Sequence, residues 1–134
     1  MPDKMPKPKA DSRIESQSER QSKHTQYVVV LTTCATHREA DRIARALVTE
    51  RLAACVNISS KPVRSIYRWK GKIEQAEEFS LLIKTSKSRL APLQLALKRL
   101  HSYEVPEFLV LPVTDGSPAY LAWIDDCLRR KRPS

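Results

Sequence analysis

The segment His101–Glu107 (HSYEVPE) places an imidazole, a phenol and two carboxylates directly before the apolar run Phe108–Leu111. Polar side chains gathered at the end of a buried element are typical of binding sites. His101 and Glu104 carry nitrogen and oxygen atoms that bind divalent cations, and Cys34, which follows another apolar run, would add a sulfur ligand. The sequence therefore predicts a candidate metal site formed by His101, Cys34 and Glu104.

A structural role is the alternative for the same residues. An imidazole at the C-terminal end of a helix interacts favourably with the helix dipole and with the last carbonyl groups. The carboxylates of Glu104 and Glu107 also need partners, since carboxylates beside a core strand are seldom left unpaired. Together with Tyr103, they could bind Arg68 and Lys84 of a neighbouring subunit. In that arrangement the cluster would mark a cleft between subunits.

Hydrophobic periodicity and turn residues predict an α+β chain. Thr36 opens the first helix, and Glu39, three residues later, matches a capping box. Lys70 and Gly71 form the turn of a long hairpin, in which Gly71 is free to take a positive φ. The order βαββαβ with an extra C-terminal helix predicts a ferredoxin-like sandwich, with helices on one face of an antiparallel sheet. The predicted elements are strands at 27–33, 55–69 (interrupted at Pro62), 72–84 and 108–113, and helices at 36–51, 88–100 and 118–128.

The two ends of the chain differ in composition from the rest. Residues 1–26 are polar and contain few apolar side chains, which predicts a disordered tail. Residues 27–130 are predicted to form the folded domain, and 131–134 a basic C-terminal tail. The net charge of +9 is concentrated at the ends, because residues 27–128 hold 14 basic and 11 acidic side chains. A nucleic-acid partner is not predicted, since the central strands lack the aromatic side chains on which RNA bases stack.

Membrane and secretory features are missing from the sequence. No apolar run approaches the roughly 18 residues that a membrane span requires, and the first 26 residues lack the apolar core of a secretory signal. The three cysteines are an odd number without metal-finger spacing, which favours a reducing compartment. These features predict a cytoplasmic protein with no membrane partner.

Continuous apolar runs predict that both faces of the sheet are covered. Val28–Leu31, Leu81–Ile83 and Phe108–Leu111 show no alternation, although a sheet with one face in water does alternate. Helices on one face leave the second face to another copy of the chain. The long hairpin also needs a partner, and its Tyr67 and Trp69 are predicted to anchor that contact. A closed cyclic homo-oligomer meets both requirements.

Seven short segments of the chain, taken in order, form a family pattern. They are Thr32–Thr33, Arg51–Ile58 (RLAACVNI), Ile66–Ile73 (IYRWKGKI), Leu82–Thr85 (LIKT), His101–Glu107 (HSYEVPE), Leu111–Val113 (LPV) and Tyr120–Ile124 (YLAWI). The pattern covers roughly residues 27–128 and resembles the CutA family of divalent-cation tolerance proteins. The resemblance implies a ferredoxin-like homotrimer, related in architecture to PII signalling proteins, and an association with copper or another divalent cation. It implies no enzymatic reaction.

Two positions depart from the family pattern. The usual His-Pro-Tyr is here His101-Ser102-Tyr103, which keeps the imidazole. The cysteine that some members carry at the end of the first strand corresponds to Thr32, and a threonine cannot replace a thiolate toward Cu(I). Cys34 would point to the same face as Thr32 if the strand continued that far. The sequence leaves open whether Cys34 takes over that role.

The leading prediction is a cytoplasmic homotrimer that binds a divalent cation, copper first, between its subunits in metal tolerance. The alternative is a PII-like signalling or scaffold trimer that binds a small anion or a partner protein in the inter-subunit cleft. No catalytic dyad, Gly-rich phosphate loop or zinc signature is present, which predicts a binding protein rather than an enzyme. The residues predicted to line the cleft or the trimer interface are Thr32, Tyr67, Arg68, Trp69, Lys84, Tyr103 and Glu107.

Overall fold

The secondary structure follows the predicted order of strands and helices. The computed structural model describes residues 26–129. The predicted polar tail, except Gln26, and the predicted basic tail at 131–134 lie outside the described residues. None of the helices within 26–129 is both long and apolar enough to cross a membrane. The elements are β1 (Tyr27–Cys34), α1 (His37–Thr49), β2 (Cys55–Ile58), β3 (Val63–Trp69), β4 (Lys72–Ser86), α2 (Leu90–Leu100), β5 (Leu109–Pro112) and α3 (Pro118–Leu128).

The main sheet is antiparallel, with the strand order β2-β4-β1-β5. The first strand lies in the centre, where it pairs with β4 from Tyr27 opposite Ser86 to Cys34 opposite Phe79. Its β-branched, continuous apolar sequence suits a central strand that packs on both faces. This strand order and the two helical crossovers are those of a ferredoxin-like fold, which confirms the predicted fold class.

Helix α1 begins as its sequence predicts. The Thr36 hydroxyl accepts a hydrogen bond from the Glu39 amide at 3.1 Å, so Thr36 is the N-cap residue. The Glu39 carboxylate does not return to Thr36, as a complete capping box requires. It accepts a hydrogen bond from the Ser102 amide at 3.1 Å instead. The capping box is therefore half formed, and Glu39 connects α1 to the segment that follows α2.

The two faces of the main sheet have different coverings. Helices α1 and α2 cover the face on which Val28, Val30 and Cys34 are buried. We call this the helix-covered face. Helix α3 covers only one end of the opposite face, where Tyr27 belongs to the same buried cluster as Leu121, Ile124 and Leu128. The rest of that side, which we call the open face, has partly exposed apolar side chains: Val29, Leu31, Leu82, Leu109 and Leu111.

The hairpin of β3 and β4 extends beyond the main sheet, as predicted. Residues Val63–Trp69 pair with Lys72–Glu78, in a ladder separate from the main sheet. Lys70 and Gly71 form the turn with φ values of 50° and 81°, so the predicted turn is confirmed. Large apolar side chains on this hairpin are exposed, with Ile66 and Ile73 each at 64%. Exposed apolar groups on a projecting hairpin are typical of a surface that contacts another protein.

Candidate metal centre

Cys34 and His101 meet at the end of β1. Cys34 is the last residue of β1 and is fully buried, and His101 directly follows α2 with 8% of its surface exposed. The Cys34 Sγ atom lies 3.9 Å from the His101 Nε2 atom. Because β1 continues to Cys34, this side chain shares a face with Thr32, as expected from the strand period. The structure thus brings together two of the three predicted metal ligands.

Both ring nitrogens of His101 are engaged in hydrogen bonds. Nδ1 is 3.0 Å from the Tyr103 amide nitrogen, which can only donate. In the neutral ring, Nδ1 is therefore the acceptor and Nε2 carries the proton. Nε2–H then donates to the Thr33 carbonyl oxygen at 2.7 Å. This arrangement holds the imidazole in one tautomer and one orientation.

Glu39 is the third potential ligand in this cluster. One carboxylate oxygen of Glu39, the Cys34 sulfur and one His101 nitrogen lie within 4.8 Å of one another. Glu39 is 9% exposed, and its Oε2 atom accepts the Ser102 amide hydrogen bond and lies 3.8 Å from Arg42 Nη2. Its Oε1 atom is buried with no nitrogen or oxygen donor among residues 26–129, and the Cys34 thiol is a hydrogen-bond donor to this carboxylate. One side of the carboxylate is thus held by a backbone amide, and the thiol lies beside it.

The cluster disfavours a free thiolate. Burial and the negative charge of Glu39 raise the pKa of Cys34 from 9.0 to about 12. At neutral pH the group is therefore a protonated thiol and a poor nucleophile. A cation that binds here must displace the thiol proton, and its positive charge would offset the repulsion between the thiolate and Glu39.

A second hydrogen-bonded group surrounds Glu78 on the other side of β1. The Glu78 Oε2 atom accepts from the Tyr103 hydroxyl at 2.8 Å and from the Thr33 hydroxyl at 3.0 Å. Burial alone would raise the pKa of Glu78, but hydrogen bonds from Ser65, Tyr103 and Thr33 outweigh it and lower the pKa. The Tyr103 ring also contacts the His101 ring at a centroid distance of 4.7 Å. Tyr103, predicted for the cleft between subunits, is thus bonded within its own chain.

Glu104, Glu107 and Thr32 lie apart from the cluster. Glu104 is exposed, and Glu39 occupies the place among the ligands that the sequence assigned to Glu104. Partial burial of the Glu107 carboxylate and the nearby Glu78 charge raise the pKa of Glu107. Thr32 is 1% exposed on the helix-covered face, so within one chain its side chain lines no surface.

The remaining predicted cleft residues lie on two separate surfaces of the chain. Tyr67, Arg68 and Trp69 are exposed on β3 of the projecting hairpin. Lys84 is on the open face, with its Nζ atom 3.3 Å from the Tyr120 hydroxyl. The β4 partner of Arg68 precedes Lys84 by 11 residues, which corresponds to about 36 Å along an extended strand. A cleft that contains both surfaces therefore needs more than one copy of the chain.

No sequence motif identifies Glu39 and Glu78 as members of these clusters. The capping-box pattern explained Glu39 as a local helix residue. Its contact with Ser102 depends on how α1 packs beside the segment after α2, which no spacing rule describes. Glu78 could be placed once β1 and β4 are in register, because Thr33 pairs with Ser80 and alternation puts Glu78 on the same face as Ser80.

The donor atoms at Cys34 and His101 fit a cation, at a cost in hydrogen bonds. A cation on Nε2 would move the ring proton to Nδ1, and both the Thr33 and the Tyr103 hydrogen bonds of His101 would be lost. Leaving two buried polar groups unpaired costs about 2–6 kcal/mol. Metal–ligand bonds at Cys34 and His101 would have to offset this cost and the loss of the Cys34 thiol proton.

Comparison with known proteins gives a consistent family match. Residues 28–127 match the family model described as CutA1 divalent ion tolerance protein. Protein CutA of Mus musculus is 47% identical over 92 residues, which are 69% of this chain and 51% of the mouse protein. The divalent-cation tolerance protein CutA of Thermus thermophilus is 46% identical over 96 residues, covering 72% of this chain and 92% of that protein. The chain thus spans about half the length of the mouse relative and nearly all of the bacterial one.

A solved structure supports the same relationship. The structure described as the periplasmic divalent cation tolerance protein CutA from Archaeoglobus fulgidus has a TM-score of 0.74 and 37% sequence identity. The match covers 77% of this chain and 99% of the archaeal chain. Almost the whole archaeal fold is therefore present in this chain.

Proposed function

Because the chain belongs to the CutA1 family of divalent ion tolerance proteins, we propose that it is a cytoplasmic homotrimer that binds a divalent cation in metal tolerance. Copper is the first candidate cation. The observation that carries this proposal is the buried Cys34–His101 pair, whose sulfur and nitrogen atoms lie 3.9 Å apart. Sulfur and imidazole nitrogen are ligands with high affinity for late divalent transition metals.

The proposed activity is binding without a chemical reaction. The names of the matched relatives describe tolerance of divalent cations and no catalysed reaction. The protonated thiol of Cys34 is poorly suited to nucleophilic attack, because its pKa is raised to about 12. His101 would act as a ligand through Nε2, after giving up its hydrogen bonds to the Thr33 carbonyl and the Tyr103 amide.

Trimer formation is supported by two apolar surfaces that one chain leaves uncovered. The open face includes Leu82, Leu109 and Leu111, which are 40%, 54% and 47% exposed. The projecting hairpin adds exposed Trp69 and Ile66. Apolar areas of this kind are normally covered in an assembly, and a closed ring covers both without leaving a free edge.

A cytoplasmic location is supported by the thiols. Cys34, Cys55 and Cys127 are all free thiols; Cys34 is buried, and Cys55 and Cys127 are partly buried. Free thiols persist in reducing compartments, whereas oxidising compartments favour disulfides.

Calorimetric titration of the full chain with Cu²⁺ and Zn²⁺ tests the binding proposal. We expect saturable binding with a Kd of about 1 μM or tighter, lost in both Cys34→Ser and His101→Ala. The matched control is Cys127→Ser, a partly buried thiol on α3 away from the cluster. A wild-type protein that shows no saturable binding of either cation would refute the proposal.

Sedimentation equilibrium tests the assembly independently. A trimer has three times the chain mass of 15.3 kDa. A single species at the monomer mass, over the full range of protein concentration, would refute the trimer while leaving cation binding open.

Lys84 favours a second candidate function, a PII-like trimer that binds a small anion or a partner protein. Its ammonium group lies on the mostly apolar open face, and no carboxylate among the described residues forms an ion pair with it. The ring of Tyr120 lies beside the ammonium, at 5.6 Å from the Nζ atom. Arg68 and Trp69 of a neighbouring hairpin would complete such a site. Titration with nucleotides and with inorganic phosphate, compared between wild type and Lys84→Met, tests this candidate.

A further inference from the structure

We propose that Glu39 completes a three-residue site, Cys34–Glu39–His101, for a divalent cation of the zinc class, meaning Zn²⁺, Cd²⁺ or Co²⁺. This inference rests on the cation binding proposed above, and it narrows that function to one ligand set and one class of cation. The sequence assigned the carboxylate role to Glu104, which is exposed and lies outside the cluster.

The three donor atoms have the spacing of ligands around one ion. They come from the end of β1, the first turn of α1 and the residue after α2, and they lie within 4.8 Å of one another. Zinc–sulfur and zinc–nitrogen bonds of about 2.3 Å and 2.1 Å at a tetrahedral angle place the two ligand atoms about 3.6 Å apart. The observed distance between Cys34 Sγ and His101 Nε2 is 3.9 Å. This pair needs to close by only a few tenths of an ångström, whereas the Glu39 oxygen, within 4.8 Å of both atoms, would have to move by about 1 Å.

The surroundings of the Glu39 carboxylate are a second observation that points to a ligand. Glu39 is 9% exposed, its Oε1 atom has no nitrogen or oxygen donor in the described part of the chain, and the Cys34 thiol is a donor to the same carboxylate. The other oxygen accepts the Ser102 amide hydrogen bond, which fixes the orientation of the carboxylate. Buried carboxylate oxygens normally have a partner, and ligating carboxylates are commonly held by a hydrogen bond of this kind. A cation bound to the deprotonated Cys34 would take the place of the thiol proton beside this carboxylate.

The donor set selects the class of cation. One thiolate, one imidazole and one carboxylate are ligands that zinc accepts together. Cu(I) prefers several sulfur ligands, whereas Cu(II) prefers a square arrangement of nitrogen and oxygen atoms. Among residues 26–129 this cluster offers a single sulfur. Three protein ligands also leave a fourth position for water or a small exchangeable ligand.

Titration of the full chain with Co²⁺, followed by displacement with Zn²⁺, tests the inference. Thiolate-to-cobalt charge transfer and strong visible bands report a tetrahedral site that contains Cys34. We expect Glu39→Gln to weaken Co²⁺ binding by more than about tenfold and Cys34→Ser to abolish the charge-transfer band. Glu104→Gln, the matched control in the segment after α2, is expected to bind Co²⁺ like the wild type.

The possible outcomes separate this inference from the broader function. If Glu39→Gln binds Co²⁺ with unchanged affinity and spectrum, or if only Cu²⁺ binds, the inference is overturned and the proposed cation binding stands. If neither copper nor any zinc-class cation binds saturably, both fail. Should Glu39→Gln not fold, X-ray absorption of the Zn²⁺-loaded wild type decides, because a zinc shell without one sulfur ligand overturns the inference.

Discussion

The two faces of the main sheet are built from the same strands and yet have different environments. On the helix-covered face, Val30 and Ile83 are fully buried under α1 and α2. On the open face, the adjacent Leu31 and Leu82 are partly exposed, and Leu82 is 40% accessible. Both sets are equally apolar in sequence. A strand that is apolar on both faces is suited to a sheet that is covered on both sides. Within one chain, α1 and α2 cover one side, and α3 covers only one end of the other.

The two faces also differ in where their polar groups are satisfied. The helix-covered face ends in Cys34, beside Glu39, and one carboxylate oxygen there has no nitrogen or oxygen donor among the described residues. The open face ends in Thr33 and Glu78, and the hydroxyl groups of Thr33 and Tyr103 donate hydrogen bonds to the Glu78 carboxylate. The fully hydrogen-bonded carboxylate of Glu78 suits a structural role, and Glu39 is the candidate for a ligand.

Neighbouring leucines on β4 give the largest expected effect. Leu81→Ala removes a side chain that is 1% exposed in the core, and we expect a loss of about 2–5 kcal/mol in the free energy of unfolding. Urea denaturation measures this change. Leu82→Ala, one residue along and on the open face, is the control, and its effect on the dissociated chain should be below about 1 kcal/mol. Equal losses in the two variants would show that the faces do not differ as described.

Replacement of Glu78 gives the second largest expected loss of stability. Glu78→Gln weakens the hydrogen bonds from Tyr103 and Thr33 to a charged acceptor, and we expect a loss of about 1–3 kcal/mol at neutral pH. Tyr103→Phe removes only one of these bonds and should cost less than the loss of the charge.

The pH dependence of stability follows from the lowered pKa of Glu78. The carboxyl group has a lower pKa in the folded state than its ordinary value of 4.5. Its contribution is therefore present above 4.5 and is lost as the pH falls through the folded pKa. The wild type should lose more stability than Glu78→Gln between about pH 5 and about pH 3, measured by urea denaturation at each pH. Parallel curves for the two proteins would contradict this assignment.

Leu82→Glu tests whether the open face is covered by other copies of the chain. A charge in the centre of a buried apolar interface is expected to dissociate the proposed trimer, while the monomer remains folded because Leu82 is 40% exposed there. Sedimentation measures the mass and circular dichroism the fold. Leu95→Glu, at a leucine 72% exposed on α2, should leave the assembly unchanged. Loss of the trimer in the Leu95 variant alone would place the interface elsewhere.

Cys34 gives the smallest expected effect on stability and a clear effect on the rate of thiol alkylation. Because its pKa is raised to about 12 and it is fully buried, it should react with iodoacetamide at neutral pH far more slowly than Cys55 and Cys127. Peptide mass spectrometry after timed alkylation measures the three rates. The same raised pKa means that the folded state gains stability from the neutral thiol below 9.0 and loses it as the pH rises toward 12. Equal alkylation rates at the three sites would contradict the buried position of Cys34.

The local sequence was sufficient for the elements and for their order. Periodicity identified the buried stripe of α1, and the Thr36 cap and the turn at Lys70-Gly71 are where their residue types predict. Such features depend on neighbours a few residues apart, so they can be derived from the chain itself. Helix α3 was predicted as an element, but its place over the Tyr27 end of the sheet was not, because nothing local specifies which surface a terminal helix packs on.

The candidate site was predicted in part, for a physical reason that its residues illustrate. Cys34 and His101 could be proposed from their chemistry and from their positions at the ends of apolar elements. Their 3.9 Å approach, across 67 residues of sequence, follows from the pairing of β1 with its neighbours and the packing of α2. The structure has Glu39 in the cluster where Glu104 was predicted. The orientation of α1 directs the Glu39 side chain toward the segment after α2, where it accepts a hydrogen bond from Ser102.

The sequence by itself determined the α+β class, the ferredoxin-like order, the projecting hairpin and the family, because each depends on residue types at short or repeated spacings. Only the tertiary structure decided which polar groups are satisfied. Hydrogen bonding and burial depend on atoms brought together from distant elements, and a change of an ångström decides whether a carboxylate has a partner. That geometry distinguishes Glu78, whose carboxylate accepts hydrogen bonds from two hydroxyl groups, from Glu39, whose carboxylate lies beside Cys34 and His101 and is the proposed cation ligand.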